Sequence, residues 1–109
     1  MPPLLKAREA QRRKQRETLR AEVRETLRRA LAELAPGESV FVFGSLVKSG
    51  TFHARSDVDV AFEEEPRLCS LYRMQAELED RLRRPVDVML LKETRLREKI
   101  EREGERWTP

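Results

Sequence analysis

Three aspartates and a Gly-Ser turn are the residues of this chain whose types and spacing could do chemistry. Asp57 and Asp59 form an Asp-x-Asp pair at the start of an apolar run, after the Gly44-Ser45 turn. In a strand, alternate side chains share a face, so the two carboxylates would lie about 7 Å apart while Val58 faces the core. Such an oxygen-only site suits Mg²⁺, which is commonly held by one or two carboxylates together with substrate phosphates.

A third acid, Asp87, lies inside another apolar run, from Val86 to Leu91. A carboxylate there is costly unless it has a partner, and a metal ion would be such a partner. If the two apolar strands are neighbours, Asp87 joins Asp57 and Asp59 around two Mg²⁺ ions. One ion would hold the phosphates of ATP or another nucleoside triphosphate, and the other would activate a hydroxyl. An ion pair between Asp87 and an arginine is the alternative.

Four residues are candidates for binding the phosphates. Gly44 permits close approach of the backbone, Ser45 adds a hydroxyl donor, and the turn after them can direct amides at an anion. Lys48 adds positive charge, and Ser56, directly before the Asp-x-Asp pair, is the fourth candidate.

Apolar periodicity and turn residues predict the elements that must position this site. The predicted elements are a helix at 16–34 with an extension back toward Pro3, strands at 40–43 and 57–63, a helix at 66–84 that begins at Pro66, a strand at 86–91, and a helix at 94–103 capped by Thr94. We expect Leu68, Leu71, Met74 or Gln75, Leu78 and Leu82 to face the core. This order predicts an α+β domain, with a small mixed β-sheet flanked by helices.

The chain of 109 residues is long enough for one domain and too short for two cores. Residues 1–36 are predicted to form a basic N-terminal helix, and residues 37–109 the compact core. Residues 1–29 hold ten basic and four acidic side chains, a net charge of +6. Residues 6–18 offer only Ala7 and Ala10 as apolar groups, so this part can be helical without burying anything. Its charge fits a solvated face, nucleic acid or an acidic partner.

The compartment is suggested by what the sequence lacks. Cys69 is the only cysteine, so no internal disulfide can form. No run of residues is apolar enough for a signal peptide or a membrane span. We therefore expect a soluble, cytoplasmic protein that does not bind membranes.

Three motifs resemble the minimal nucleotidyltransferases of the DNA polymerase β superfamily. They are F-G-S at 43–45, S-D-V-D-V at 56–60 and P-V-D-V-M-L-L at 85–91. The resemblance covers about residues 40–107, and Ile100, Gly104 and Trp107 match the family's usual C-terminal end. It implies a polymerase β-like nucleotidyltransferase fold and a magnesium-dependent transfer of AMP, or another nucleoside monophosphate, to an acceptor hydroxyl.

The resemblance also implies roles for particular residues. Asp57 and Asp59 correspond to the metal ligands, Asp87 to the third acid, and Gly44 and Ser45 to the residues on the phosphates. The loop differs from the usual family pattern at two places. Leu46 stands where an arginine is frequent, and Ser49 delays the second glycine to Gly50.

Many stand-alone proteins of this kind are antitoxins. They pair with a helical toxin of the HEPN type, a ribonuclease, and some are described as silencing it by adding AMP to a tyrosine. The resemblance therefore implies an adenylylating antitoxin with a HEPN-type partner. Two alternatives stay open, an antitoxin that acts by binding alone and nucleic-acid binding through the basic helix. Because so short a chain leaves little room to recognise an acceptor, we expect a partner protein or a homo-oligomer to complete the pocket.

Overall fold

The computed structural model describes residues 3–109, which form helices packed on a β-sheet. In chain order the elements are α1 (Pro3–Leu34), β1 (Val40–Phe43), β2 (Val58–Phe62), α2 (Leu71–Leu82), β3 (Val86–Leu90), α3 (Arg97–Glu103) and β4 (Glu105–Trp107). Single 3₁₀ turns follow β1 and β3 directly. None of the helices in the described residues is long and apolar enough to cross a membrane. The predicted α+β class is confirmed.

The four strands form one mixed sheet in the order β3-β2-β1-β4. β1 pairs antiparallel with β2 and with β4, whereas β2 pairs parallel with β3. The register places Phe43 opposite Asp59, and Asp59 opposite Asp87. The two strands that carry the acids are therefore neighbours, as the site prediction required.

The two faces of the sheet bury clusters of different size, because side chains alternate along each strand. The larger cluster lies between the sheet and helices α1 and α2, and it includes Val40, Val42, Val58, Val60, Phe62, Leu27, Leu31, Met74 and Leu78. The smaller cluster, on the side of α3, contains Phe41, Ala61, Leu91 and Ile100. Asp59 lies two residues from Ala61 along β2, so it faces this thinner side of the molecule.

Helix α1 has two halves with opposite environments. Its second half buries Val23, Leu27, Ala30 and Leu31 in the larger cluster, whereas residues 3–16 are exposed throughout. A helix of 32 residues is about 48 Å long, close to the longest dimension of the molecule, 53 Å. The exposed half does not require a separate helix nucleation step, because it extends a helix whose second half is already packed on the core. A helical segment 6–18 that adds nothing to the core is therefore confirmed.

Strand β4 was not predicted, and it ties the C-terminal end of the chain to α1. Arg24 of α1 donates hydrogen bonds of 2.7 and 3.0 Å to the two carboxylate oxygens of Glu105. This pair is the main reason that the pKa of Glu105 lies below its usual value. The guanidinium groups of Arg24 and Arg28 also lie 5.5 and 4.8 Å from the centre of the Trp107 ring. Trp107 therefore packs against α1.

Helix α2 begins at Leu71, so the prediction that it begins at Pro66 is wrong. The hydroxyl of Ser70 accepts a 3.0 Å hydrogen bond from the amide of Arg73, which makes Ser70 the N-cap. Because Leu68 precedes this cap, it does not share the buried face of the helix and is 66% exposed. The prediction that Leu68 faces the core is therefore also wrong.

Helix α3 begins at Arg97, which corrects the prediction of a helix capped by Thr94. The Thr94 hydroxyl accepts a 3.2 Å hydrogen bond from the amide of Leu96. It therefore stabilises a turn before the helix, and the residue at the N-cap position is Leu96, which has no side-chain cap. Leu91 likewise belongs to the 3₁₀ turn rather than to β3.

Two side chains of α2 cover the outer edge of β3. The Gln75 side-chain oxygen accepts a 3.2 Å hydrogen bond from the amide of Val88, and a Glu79 oxygen accepts one of 3.1 Å from the amide of Val86. Residues four apart lie on one face of a helix, and amides two apart point to one side of a strand. The two spacings match. The side chains of α2 therefore accept hydrogen bonds from amides of β3 that would otherwise have no partner, because β3 is an outer strand.

Candidate active site

The three aspartates lie near the first residues of the neighbouring strands β2 and β3. Asp59 is within β2 and pairs directly with Asp87 of β3, and Asp57 immediately precedes β2. Asp59 is half-buried, whereas Asp57 and Asp87 are exposed. The expectation that Asp87 is an acid buried in an apolar strand is therefore wrong, because β3 is an outer strand and the Asp87 side chain lies in solvent.

Asp59 lies in an environment that disfavours its charge. Burial, the Asp87 carboxylate and the Asp57 carboxylate together raise the pKa of Asp59 from 3.8 to about 6. A bound cation would reverse this effect, since it favours the ionised form of each carboxylate. Within residues 3–109, no three His, Cys, Asp or Glu side chains converge closely enough to hold a metal ion unaided. The donors present are carboxylate oxygens, the type that Mg²⁺ prefers when a substrate's phosphates supply its other ligands.

Gly44 lies directly against Asp59. Its φ of +79° lies in the left-handed region, and a Cβ placed on it would come within 2.5 Å of a carboxylate oxygen of Asp59. A side chain at this position would therefore strain the backbone and displace the acid. The Gly44 turn, which was predicted to approach phosphate, therefore also packs against the Asp59 side chain.

A cavity of about 210 Å³ opens beside Asp59, between the turn after β1 and helix α3. It is lined by Phe43, Gly44, Lys48, Asp59, Leu96, Lys99, Ile100 and Glu103. The volume is smaller than the roughly 300–1,000 Å³ of most small-molecule sites, so the cavity suffices for only part of a nucleotide. Lys48 was expected here, whereas Lys99 was not, because the sequence does not show which face of α3 packs against the sheet.

Helix α1 holds the loop that follows the Gly-Ser turn. One oxygen of Glu17 accepts hydrogen bonds from the Gly50 amide at 2.6 Å and the Ser49 hydroxyl at 3.1 Å. Arg20 donates a 2.8 Å hydrogen bond to the carbonyl of Leu46. Leu46, at the position where the family often has arginine, is itself buried in the core. The loop is therefore fixed from outside by helix side chains and from inside by Leu46.

Arg84 organises the segment that leads into Asp57. It donates a 2.9 Å hydrogen bond to the carbonyl of Ser56, and its guanidinium lies 4.8 Å from the centre of the buried Phe52 ring. Burial lowers the pKa of Arg84, and the Asp57 carboxylate opposes that shift. Arg84 thus holds positive charge near the Asp57 carboxylate, a role that no local pattern around Arg84 indicates.

The remaining two predicted phosphate ligands lie in turns. The Ser56 hydroxyl accepts a 2.9 Å hydrogen bond from the amide of His53, so it closes the turn before Asp57. Ser45 is half-buried, and its carbonyl accepts a 3.2 Å hydrogen bond from the amide of Lys48. The structure thus groups Gly44, Lys48 and Asp59 around the cavity, with Ser45 and Ser56 in the two adjoining turns.

Replacing Glu17 with alanine is expected to loosen the loop without unfolding the protein. Loss of the acceptor frees the Gly50 amide, so its hydrogen exchange, measured by NMR, should become roughly tenfold faster. The Glu17→Gln variant keeps an acceptor oxygen and should show a smaller effect. The matched control is Glu9→Ala, on the exposed half of the same helix, which should leave Gly50 unchanged. Equal exchange in Glu17→Ala and wild type would contradict the role of Glu17.

The sequence and the fold were compared with known proteins. A family model described as polymerase β nucleotidyltransferase matches residues 12–106. A solved structure described as a candidate minimal nucleotidyltransferase is 35% identical, with a TM-score of 0.54, and the match covers 82% of this chain and 92% of that chain. No curated protein sequence matches significantly.

A second solved structure, a crystal structure of a toxin-antitoxin with AMP-PNP, has a TM-score of 0.61 and is 22% identical over 78% of this chain and 73% of that chain. At that identity the similarity concerns the fold alone. The range matched by the family model includes the Gly-Ser turn and all three aspartates. The chain therefore belongs to the polymerase β nucleotidyltransferase family and has its polymerase β-like fold.

Proposed function

We propose that the protein is a magnesium-dependent nucleotidyltransferase that moves AMP, or another nucleoside monophosphate, from a nucleoside triphosphate to an acceptor hydroxyl. The observation that carries this proposal is the environment of Asp59. This half-buried acid lies between two other carboxylates, has a pKa of about 6 and packs against a glycine that leaves no room for a side chain. A carboxyl placed at such a cost to stability is a candidate for function.

The residues around Asp59 have distinct roles in this reaction. Two Mg²⁺ ions would be held by Asp57, Asp59 and Asp87. When bound, they neutralise phosphate charge and lower the pKa of the acceptor hydroxyl. The acceptor oxygen forms a bond to the α-phosphorus while the bond to the bridging oxygen breaks and pyrophosphate leaves. Asp87, exposed on the outer strand, would accept the proton of the acceptor hydroxyl.

The phosphates are assigned to the other side of Asp59. Gly44 and Ser45 offer the backbone and hydroxyl of the turn after β1, and Lys48 contributes positive charge. Ser56 accepts a hydrogen bond from an amide, so the proton of its hydroxyl is free to be donated to phosphate. We add Lys99 of α3, which lines the same cavity, as a second cation for the triphosphate.

The acceptor in this proposal is a tyrosine of a HEPN-type toxin, and the protein acts as its antitoxin in the cytoplasm. Three observations support this assignment. The motifs resemble those of antitoxins, a toxin-antitoxin with AMP-PNP has a similar fold, and the cavity beside Asp59 is too small to enclose both a nucleotide and an acceptor. A partner protein, or a second copy of this chain, would complete the site.

The test is transfer of label from ATP radiolabelled on its α-phosphate to a purified HEPN-type toxin in the presence of MgCl₂. We expect labelled toxin with the wild type and none with Asp57→Asn. Asp80→Asn, the same change at an exposed position of α2, is the control and should label normally. Transfer of label to the toxin by Asp57→Asn would contradict the proposal. If neither protein transfers label but both neutralise the toxin in cells, the protein is an antitoxin that acts by binding alone.

A further inference from the structure

The exposed half of α1 carries a concentration of positive charge that the transfer reaction does not use. Against the single acid Glu9, residues 3–16 contain Lys6, Arg8, Arg12, Arg13, Lys14 and Arg16. Arginines farther along the same helix are neutralised: Arg20, Arg24, Arg28 and Arg29 each form an ion pair with a glutamate. None of the six cations of the exposed half makes such a pair in the part of the chain that the structure describes. The two halves of α1 therefore differ in charge as well as in burial.

The helical geometry places four of these six cations on two flanks. At 100° per residue, Arg8 and Arg12 lie on one side of the helix, and Lys6 and Arg13 lie roughly a third of a turn away. Arg16 lies between the two groups, and Lys14 lies on neither flank, about 90° beyond Lys6 and Arg13. The fourteen residues 3–16 form a rod about 21 Å long that is held rigidly by the docked half of the helix. Such a rod presents two rows of positive charge to two sides of any groove that it enters.

We propose that residues 3–16 form an arm that binds duplex DNA by entering its major groove, with the two rows of cations on the phosphates of the two walls. The major groove of B-form DNA is about 12 Å wide and admits an α-helix of about that diameter. Arginine also suits phosphate, because its planar guanidinium donates two parallel hydrogen bonds.

The composition of the arm favours duplex DNA over a protein partner and over duplex RNA. A protein interface has a core enriched in aromatic residues and depleted in charge. The arm has no aromatic residue, and its largest apolar groups are Leu4 and Leu5 at its end. Duplex RNA is a poor fit, since the major groove of A-form RNA is too deep and narrow for side chains to enter. The exposed, charge-rich helix therefore matches the groove of B-form DNA best.

The experiment is titration of a fluorescent 20-base-pair DNA duplex with the full chain, followed by anisotropy at several salt concentrations. Non-specific DNA binding typically has a dissociation constant of about 10⁻⁴–10⁻⁶ M at physiological salt, and we expect a value in this range. The triple variant Arg12→Gln, Arg13→Gln, Arg16→Gln should bind at least tenfold more weakly. The slope of its salt dependence should fall by about 2–3, since each phosphate that the protein neutralises adds about 0.9. Glutamine preserves helix propensity, which circular dichroism would verify.

The control variant removes the same charge outside the arm, by Arg29→Gln in the docked half of α1, Arg73→Gln in α2 and Arg102→Gln in α3, and should retain most of the affinity. Equal losses in the two triple variants would overturn the proposal, because they would indicate attraction by net charge alone. Equal or tighter binding to a duplex RNA of the same sequence, or to polyglutamate, would also overturn it. The transfer reaction is not involved, so Asp57→Asn should bind DNA as the wild type does.

Discussion

Replacing Asp59 with asparagine will abolish magnesium-dependent transfer and, in the same protein, raise the free energy of unfolding at pH 7. The wild-type site holds a carboxylate that burial and two neighbouring carboxylates make unfavourable. Asparagine removes the charge with little change in shape, so the folded protein loses the repulsion while the cation loses a ligand. A variant that is more stable and inactive is the expected result of removing a carboxylate that serves function rather than folding.

The stability gain should depend on pH in a defined direction. The pKa of Asp59 is about 6 in the folded protein, compared with an ordinary value of 3.8. The folded state therefore binds more protons than the unfolded state between these values, so the free energy of unfolding falls as pH rises through this window. The whole shift corresponds to about 3 kcal/mol. Because Asp59 is only half-buried and water screens its charge, we expect a gain of roughly 1–2 kcal/mol for Asp59→Asn at pH 7.

Urea denaturation at pH 4 and pH 7 measures this effect. The difference between Asp59→Asn and wild type should be small at pH 4 and largest at pH 7. The Asp80→Asn control, at an exposed helix position, should change the free energy of unfolding by less than about 0.5 kcal/mol at both pH values. MgCl₂ with an ATP analogue should raise the stability of the wild type but not of Asp59→Asn. An Asp59→Asn protein that is less stable than wild type at pH 7 would show that the carboxylate supports the fold.

Replacing Gly44 with alanine will lower both stability and activity. Alanine at a φ of +79° costs about 1–2 kcal/mol, and its Cβ would lie 2.5 Å from the Asp59 carboxylate. Either the turn or the acid must move, so we expect a total loss of roughly 2–4 kcal/mol in the free energy of unfolding. Transfer should fall by at least a hundredfold, because a displacement of about 1 Å at a reacting centre has effects of that size.

Gly50 provides a matched control for the Gly44 variant. Its φ of +84° is similar, but a Cβ placed there would meet no atom within 4 Å. Gly50→Ala therefore isolates the backbone strain, and the difference between the two variants measures the crowding against Asp59. In an Asp59→Ala background that crowding is removed, so the two glycine variants should cost about the same. If Gly44→Ala is no more destabilising than Gly50→Ala in the wild-type background, the crowding of a Cβ at position 44 against Asp59 does not affect the free energy of unfolding.

The pairing of Asp59 with Asp87 could be predicted from the sequence because it depends on local rules. Asp59 and Asp87 lie within apolar runs, and both runs are apolar enough to be recognised as strands. The prediction that Asp87 joins Asp59 required only that β3 lie beside β2, which is the common arrangement when a helix connects two parallel strands. The burial of Asp87 was misjudged, because a strand's apolar residues do not show whether it is central or outer in the sheet.

The features that the sequence did not predict depend on long-range packing or on very short elements. β4 is three residues long, too short for any periodicity to appear. Lys99 lines the cavity only because α3 docks on the thinner face of the sheet. The hydrogen bond from the Gly50 amide to Glu17 joins residues 33 positions apart. The local sequence around either residue does not indicate that the two are in contact. Such contacts appear only once the whole chain is folded.

The hydrogen bonds from Gln75 and Glu79 to the amides of β3 also bear on how the protein avoids aggregation. A sheet grows into fibrils, or swaps strands with another molecule, through an outer strand whose amides are free. One outer strand here is blocked by its own helix, and the other, β4, is short and carries the charged residues Glu105 and Arg106. Both outer strands of the sheet are therefore poorly suited to pairing with a strand of another molecule.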